Sequence, residues 1–279
     1  MITYKSFADL NNCIFKNIGK FPTDIDLVVG VPRSGMLPAN LLALYMNKPY
    51  TDLDSFVDGR IYTGGFRTTY IREGKTNKVL IIDDSISSGS ALRKTKEKLA
   101  HVTGYEIIYA AVYARSSSKH LVNVFCEIVD GDRIFQWNMF HHKKYLMESC
   151  VDIDGVLCTD PTIEENDDGE KYKNFLLNAK PKFLPTVKIK TLISCRLEKW
   201  RKETCLWLKT HNIEYENLIL LNLPNRDARI KWGKYGEYKA AEYRKAQYKF
   251  FIESSLNEAK TIKQITGKPV FCIETMGLV

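Results

Sequence analysis

The stretch Val79–Leu92, VLIIDDSISSGSAL, constrains the fold of this chain more than any other. Four β-favouring apolar residues, Val79 to Ile82, predict a strand buried on both faces, and they run straight into Asp83-Asp84. A loop of small residues, Ser85-Ile86-Ser87-Ser88-Gly89-Ser90, follows. Ala91 to Ala100 then reads as a helix, with Leu92 and Leu99 apolar and Arg93, Lys94, Lys96 and Lys98 on the outside. A strand, a loop rich in hydroxyls and a helix N-terminus together make a cradle for an anion. Backbone N–H groups and the helix dipole favour phosphate, and the serine hydroxyls add donors. The two carboxylates suit other partners, either the hydroxyls of a sugar or a metal held near phosphates.

This constellation resembles the phosphoribosyl-pyrophosphate (PRPP) signature of type I phosphoribosyltransferases. The resemblance implies that Asp83 and Asp84 bind the ribose hydroxyls while Ser87, Ser88, Gly89 and Ser90 bind the 5′-phosphate. Ala91 departs from the family, which usually has Thr or Ser there, and so removes one phosphate donor. Upstream, Tyr4 to Lys20 is predicted as a helix and Asp26–Val31 as a short buried strand. Pro32-Arg33-Ser34-Gly35-Met36 and a helix from Leu37 to Met46 come next. GVPRSGMLPA, Gly30 to Ala39, is similar to the pyrophosphate loop of these enzymes. Arg33 brings a permanent forked cation, and Ser34 and Gly35 let backbone N–H groups approach an anion. By position, Thr51 to Asn77, with Arg60, Tyr62 and Arg67, corresponds to the lid that closes over the site. Tyr105–Val112 and Val122–Val129 are predicted strands. In purine-type members the segment that follows covers the base, so Phe135 or Trp137 is expected to stack on it.

A second pattern starts near Lys144, dividing the chain into expected domains 1–144 and 145–279. Tyr145–Val151 is apolar and leads into Asp152-Ile153-Asp154-Gly155-Val156-Leu157. Carboxylates on alternate residues at a strand end point to the same side, so both can reach one phosphate. This D-x-D-G-V-L resembles motif I of the haloacid dehalogenase superfamily. The resemblance implies Asp152 as the nucleophile of an aspartyl-phosphate mechanism and Asp154 as general acid and base. Ser194, at the end of the predicted strand Val187–Ser194, matches the hydroxyl of motif II, and Lys239 matches the motif III lysine. Glu253 follows the predicted strand Tyr248–Ile252, where motif IV places a magnesium ligand, more often Asp. Mg²⁺ would then be held by Asp152, Asp154 and Glu253. The charge-rich interval from Cys158 to Lys188 is expected to be a flap or a solvated loop. Asn225–Gly236 is basic and aromatic, with no role assigned.

Both halves alternate strand and helix, so the fold class is α/β with two parallel-sheet domains. At 279 residues the chain is long enough for two cores. Its net charge of +8 divides as 19 − 14 = +5 in residues 1–144 and 22 − 19 = +3 in the remainder. A basic excess spread in this way fits small phosphorylated substrates and gives little support to nucleic-acid binding. Seven cysteines, odd in number and without C-x-x-C spacing, fit reduced thiols in a cytoplasmic protein. The start, MITYKSFADLNN, is not a signal peptide, and no apolar run reaches membrane-spanning length.

The expected activity is therefore bifunctional: phosphoribosyl transfer between PRPP and a nucleobase-like acceptor, and Mg²⁺-dependent hydrolysis of a phosphate monoester. Two other readings stay open at this stage. The first half could be a non-catalytic PRPP- or nucleotide-sensing module attached to a phosphatase, or the chain could be a nucleic-acid-binding regulator. Assembly into a homo-oligomer is also open.

Overall fold

Five short apolar runs in the first half are spaced so that each can be followed by a crossover, which is what parallel pairing requires. The structure is a computed structural model that describes residues 2–62, 78–245 and 247–279. Its contacts divide the chain into two units, Met1–Arg133 and Ile134–Val279. This division falls before the Lys144 boundary read from the sequence.

In the first unit, α1 (Phe7–Lys16) starts at Ser6, whose side chain accepts from the Asp9 N–H while Asp9 accepts from the Ser6 N–H. That capping box fixes the helix start, so residues 2–5, of which 4 and 5 were expected to be helical, are extended instead. The strands of its parallel sheet are β1 (Leu27–Gly30), β2 (Tyr50–Asp52), β3 (Lys78–Ile86), β4 (Glu106–Ala114) and β5 (Val124–Ile128). They pair in the order β2-β1-β3-β4-β5, all parallel. The helices α2 (Met36–Met46), α3 (Leu53–Val57) and α4 (Ser90–Lys98) lie between them in sequence. Leu27, Val29, Val79 and Ile81 pack with Leu53, Phe56 and Leu99 in the core. Each such side chain contributes about 1.5–3 kcal/mol when fully buried.

β3 is longer than the expected Val79–Ile82. On one side it pairs with β4 as far as Ile86 opposite Ala114, but on the other β1 ends with Gly30 opposite Ile82. Asp83 and Asp84 thus sit just beyond the point where one neighbour stops. Open parallel sheets bind ligands in such crevices.

The second unit carries β6 (Ser149–Val151), α5 (Glu170–Asn178), β7 (Ile189–Leu197), α6 (Arg201–Thr210), β8 (Tyr215–Leu221), α7 (Arg226–Trp232), α8 (Tyr235–Lys245), β9 (Phe250–Glu253), α9 (Leu256–Thr266), β10 (Val270–Cys272) and β11 (Gly277–Leu278). The strand order is β8-β7-β6-β9-β10-β11, and only β11 is antiparallel. From β6 the chain builds the sheet outward in one direction through β7 and β8, then in the other through β9 and β10. The crevice of this reversal lies beyond the carboxyl end of β6.

Two expectations about local structure are corrected here. Residues Lys143–Leu146 form a helical turn, which shortens the predicted strand Tyr145–Val151. The supposed flap contains α5, whose Tyr172, Phe175 and Leu176 are buried at helical spacing. Its base is closed by backbone bonds from Thr159 N–H to the Lys180 carbonyl and from Lys182 N–H to the Leu157 carbonyl. Among the described residues, no helix is long and apolar enough to cross a membrane.

Candidate active sites

In the first unit, parallel pairing of β1 with β3 sets two loops side by side. Val31 N–H donates to the Ile82 carbonyl at 3.0 Å, so Pro32-Arg33-Ser34-Gly35 leaves the sheet beside Asp83. The Pro32–Arg33 peptide is cis. A Cβ on Gly35 would lie 2.5 Å from the Val31 carbonyl oxygen and 2.8 Å from that of Ile82. Both obstacles are backbone and cannot turn aside. Gly35→Ala is therefore expected to displace this loop, costing about 1–3 kcal/mol as overpacking typically does. A lower Tm would show it; an unchanged Tm would contradict the close approach.

The second loop runs from Ser87 to Ser90. Gly89 has φ +75° and forms the N-cap of α4, a conformation in which a side chain would be strained. Ser87, Ser88 and Ser90 line a cavity of about 170 Å³ together with Asp83, Val31 and Ala91. Arg115, which no local motif marks, donates from Nε to Ser87 Oγ at 2.7 Å. It brings a permanent cation to the proposed phosphate loop from the turn after β4.

Asp84 is buried, and its N–H donates to Asp83 Oδ1 at 2.8 Å. Burial, with the neighbouring Asp84 charge adding to it, raises the Asp83 carboxyl from 3.8 to about 8. An acid raised in this way holds its proton more tightly folded than unfolded. The associated stability is present below the ordinary pKa of 3.8 and is lost as pH rises toward 8. Asp83→Asn is therefore expected to raise the Tm at pH 8 by more than at pH 5. Equal shifts at both values, in thermal melts of the apo protein, would contradict this.

The lid expectation falls mostly outside the described residues, which omit 63–77 and with them Arg67. Phe135 and Trp137 stack on each other, with centroids 5.0 Å apart and planes 2° apart, and Phe135 is buried. Both lie past the division between the units.

In the second unit, Val151 pairs with Leu192 of β7 and with Ile252 of β9. Asp152 follows β6 and Glu253 ends β9. Ser194 lies on β7 just past the point where β6 stops pairing with it, and β7 runs on to Leu197 instead of ending at Ser194. α8 presents Gly236, Lys239, Ala240 and Tyr243 on its buried face, so Lys239 is carried inward by the same periodicity that packs the helix. Its Nζ donates to Asp152 Oδ2 at 2.7 Å, Glu253 Oε2 at 2.8 Å and Glu258 Oε2 at 2.7 Å. Glu253 Oε1 accepts from the N–H groups of Ser254 and Ser255. Burial raises the Asp152 carboxyl well above the ordinary range against the pull of Lys239, with Glu253 and Glu258 adding to the rise.

Arg196, two residues beyond Ser194 on β7, points to the same side. Its guanidinium is fully buried and forked onto Asp154, with Nε 3.0 Å from Oδ2 and Nη2 2.7 Å from Oδ1. Burial works against the Arg196 charge, but Asp154 more than restores it, and the proton is held more firmly than usual. The sequence offered a signal for Arg196 in the strand-end triplet Ser194-Cys195-Arg196, whose alternate members share a face.

A cavity of about 600 Å³ opens over these groups. Its charged lining comprises Asp152, Asp154, Asp160, Glu258 and Glu274 against Lys182, Arg229 and Lys239, so carboxylates exceed cations by 5 − 3 = 2. The expected metal set does not gather as the sequence implied. Among the described residues, no group of three or more His, Cys, Asp or Glu side chains is placed to hold a metal ion. Asp152 and Glu253 both turn to Lys239, and Asp154 turns to Arg196.

Residues 3–143 match the family described as "Phosphoribosyl transferase domain". The chain belongs to this family. Solved structures similar to this phosphoribosyl transferase family member include the Helicobacter pylori xanthine-guanine-hypoxanthine phosphoribosyltransferase. It is 15% identical, with 50% of this chain and 92% of that chain covered and a TM-score of 0.36. A purine phosphoribosyltransferase from Pyrococcus horikoshii is 20% identical over 49% of this chain and 93% of its own, with a TM-score of 0.36. An orotate phosphoribosyltransferase from Aeropyrum pernix is 18% identical over 44% and 70%, with a TM-score of 0.33. No curated protein matches. The family match ends at residue 143, and the geometry of the second unit is described on its own residues.

Proposed function

We propose that the first unit transfers a phosphoribosyl group between PRPP and a nucleobase-like acceptor, and that the second hydrolyses a phosphate monoester through an aspartyl-phosphate at Asp152. For the first unit the family membership is the supporting observation. Asp83 and Asp84 would take the ribose hydroxyls, the Ser87–Ser90 loop with Arg115 the 5′-phosphate, and Arg33, Ser34 and Gly35 the pyrophosphate.

For the second unit the supporting observation is the convergence of Asp152, Ser194, Lys239 and Glu253, from four separate elements, on one crevice. This is the arrangement expected of a haloacid dehalogenase-type phosphatase. Asp152 attacks phosphorus, the leaving oxygen departs, and water then cleaves the acyl phosphate. Asp154, fixed in orientation by Arg196, moves the proton of the leaving group and of water. Ser194 Oγ would donate to a phosphoryl oxygen. Lys239, whose three N–H donors go to Asp152, Glu253 and Glu258, would offset the phosphoryl charge by its proximity.

Magnesium belongs to this proposal on charge and donor chemistry. As a three-carboxylate cage the residues do not fit. Asp152, which lines the cavity, is the hard oxygen donor that would hold the ion. Glu253 is fully buried, with one oxygen on Lys239 and the other on the Ser254 and Ser255 N–H groups. Bound at Asp152, the ion would offset the carboxylate excess of the cavity and the charge of the arriving phosphate.

Two assays test the proposal. PRPP, Mg²⁺ and a mixture of bases are followed by mass spectrometry, with pyrophosphate and a ribosylated base as the expected products. Hydrolysis of p-nitrophenyl phosphate is measured with and without EDTA, and chelation is expected to stop it. PRPP left intact with every base would contradict the first half, and an EDTA-insensitive or absent hydrolysis the second.

A further inference from the structure

The cavity of the second unit is far larger than a phosphoryl group, so most of it receives the rest of the ester. At about 600 Å³ it is of a size to enclose a small organic ligand. Of the cations at the site, Lys239 is saturated by three carboxylates and Arg196 by Asp154. Two cations stand apart from this pattern: Lys182, which donates to the Gly155 carbonyl, and Arg229. Arg229 lines the cavity, and among the described residues no carboxylate forms an ion pair with it.

The contacts of Arg229 are all with neutral groups. Nη1 donates to the Cys195 carbonyl at 3.3 Å, Nη2 donates to Asn166 Oδ1 at 3.0 Å, and the Tyr172 hydroxyl is also a partner. Its Nε is buried and has no hydrogen-bond partner. Partly exposed along the cavity and without a counter-charge, the guanidinium is open to an anion that a ligand supplies. Its position indicates which part of the ligand this is. Cys195 follows Ser194 on β7, Asn166 precedes α5 and Tyr172 lies within it. Arg229 therefore lines the cavity next to the strand that carries Ser194, and its side-chain hydrogen bonds go to neither Asp152 nor Lys239.

We propose that Arg229 binds a second anionic group on the leaving portion of the ester, so that the site selects phosphomonoesters bearing another phosphate or carboxylate. This inference rests on the phosphatase reading of the second unit. A forked guanidinium matches either oxyanion in bidentate fashion, and charged hydrogen bonds of this kind are worth about 10- to 100-fold in affinity.

The test uses the full chain as wild type, Arg229→Gln and Arg229→Lys, with Mg²⁺ and esters matched in pairs. Fructose 1,6-bisphosphate is compared with fructose 6-phosphate, and 3-phosphoglycerate with glycerol 3-phosphate; p-nitrophenyl phosphate carries no second charge. Wild type is expected to show a KM about tenfold lower for the doubly anionic member of at least one pair, which also tells phosphate from carboxylate. Arg229→Gln should erase that preference, and Arg229→Lys should keep part of it. Thermal melts report whether each variant folds; if only Arg229→Lys does, its reduced preference carries the test.

The proposal is overturned if wild type shows no preference or if the folded variants retain it in full. It is also overturned if Arg229→Gln lowers kcat on every ester alike, since the guanidinium would then act on the reacting phosphoryl group. A wild type that hydrolyses none of the esters contradicts the phosphatase reading instead. Calorimetric titration of wild type and Arg229→Gln with 3-phosphoglycerate and glycerol 3-phosphate then examines Arg229 without turnover and without pyrophosphate, which the first unit is itself proposed to bind. About tenfold tighter 3-phosphoglycerate binding, lost in Arg229→Gln, supports the assignment, and equal affinities overturn it.

Discussion

Asp152→Asn is expected to abolish phosphate-ester hydrolysis, with a loss of about 10⁴-fold or more, because removing a nucleophile closes the covalent route. The fold should tolerate the change. Asn is isosteric, its carbonyl can still accept from Lys239 Nζ, and Glu253 and Glu258 continue to balance that charge. Lys239→Ala is a different kind of change. It removes an electrostatic contribution worth about 10²–10³ in rate. It also leaves three carboxylates without their cation, and breaking a buried pair typically costs about 3–5 kcal/mol of stability. The two variants should therefore separate: Asp152→Asn inactive with a near-normal Tm, Lys239→Ala partly active and markedly less stable. Initial rates on p-nitrophenyl phosphate, read beside thermal melts, check both. Equal residual rates would argue against an aspartyl-phosphate.

The double variant Asp83→Asn/Asp84→Asn is expected to lose phosphoribosyl transfer while hydrolysing a generic phosphate ester as the wild type does. These acids lie in the first unit, on the part of β3 that β1 no longer flanks. On the proposed reading the pair would accept hydrogen bonds from the ribose hydroxyls; as carboxamides each side chain presents an NH₂ in place of one acceptor oxygen. Pyrophosphate release from PRPP measures the outcome. A double variant with full transferase turnover would remove the assignment of residues 79–92.

Much of this geometry was legible in the chain because it depends on strand periodicity. The run Val79–Ile82 ending in paired acids, and the alternation Asp152/Asp154, are local patterns, and both stand toward the carboxyl ends of parallel strands. The exact end of β3 was not legible, because it depends on how far β1 and β4 each reach. Helix α5 escaped notice for another reason. The charged residues of EENDDGEKYKN precede and overlap the stripe Tyr172, Phe175 and Leu176, and the charge obscured the helical spacing. Cations that complete the sites were the least readable. Arg115 reaches Ser87 across 28 positions, and Arg196 reaches Asp154 across 42. Only the parallel sheet brings these pairs together, and no local pattern encodes a partner that distant.

The two chemistries gain a shared purpose if the phosphatase acts on the 5′-phosphate of the transferase product, which would pull the transfer forward. The measurement that tests the account most directly supplies PRPP, Mg²⁺ and a mixture of bases to wild type, Asp152→Asn and Asp83→Asn/Asp84→Asn, with every product followed by mass spectrometry. Wild type is predicted to release pyrophosphate and a nucleoside, Asp152→Asn to release pyrophosphate but stop at the 5′-monophosphate, and the double variant to leave PRPP intact. If wild type and Asp152→Asn both stop at the monophosphate, the units act on unrelated substrates. PRPP consumed equally by all three proteins, or by none, would contradict the central claim that the first unit is a phosphoribosyltransferase working through Asp83 and Asp84.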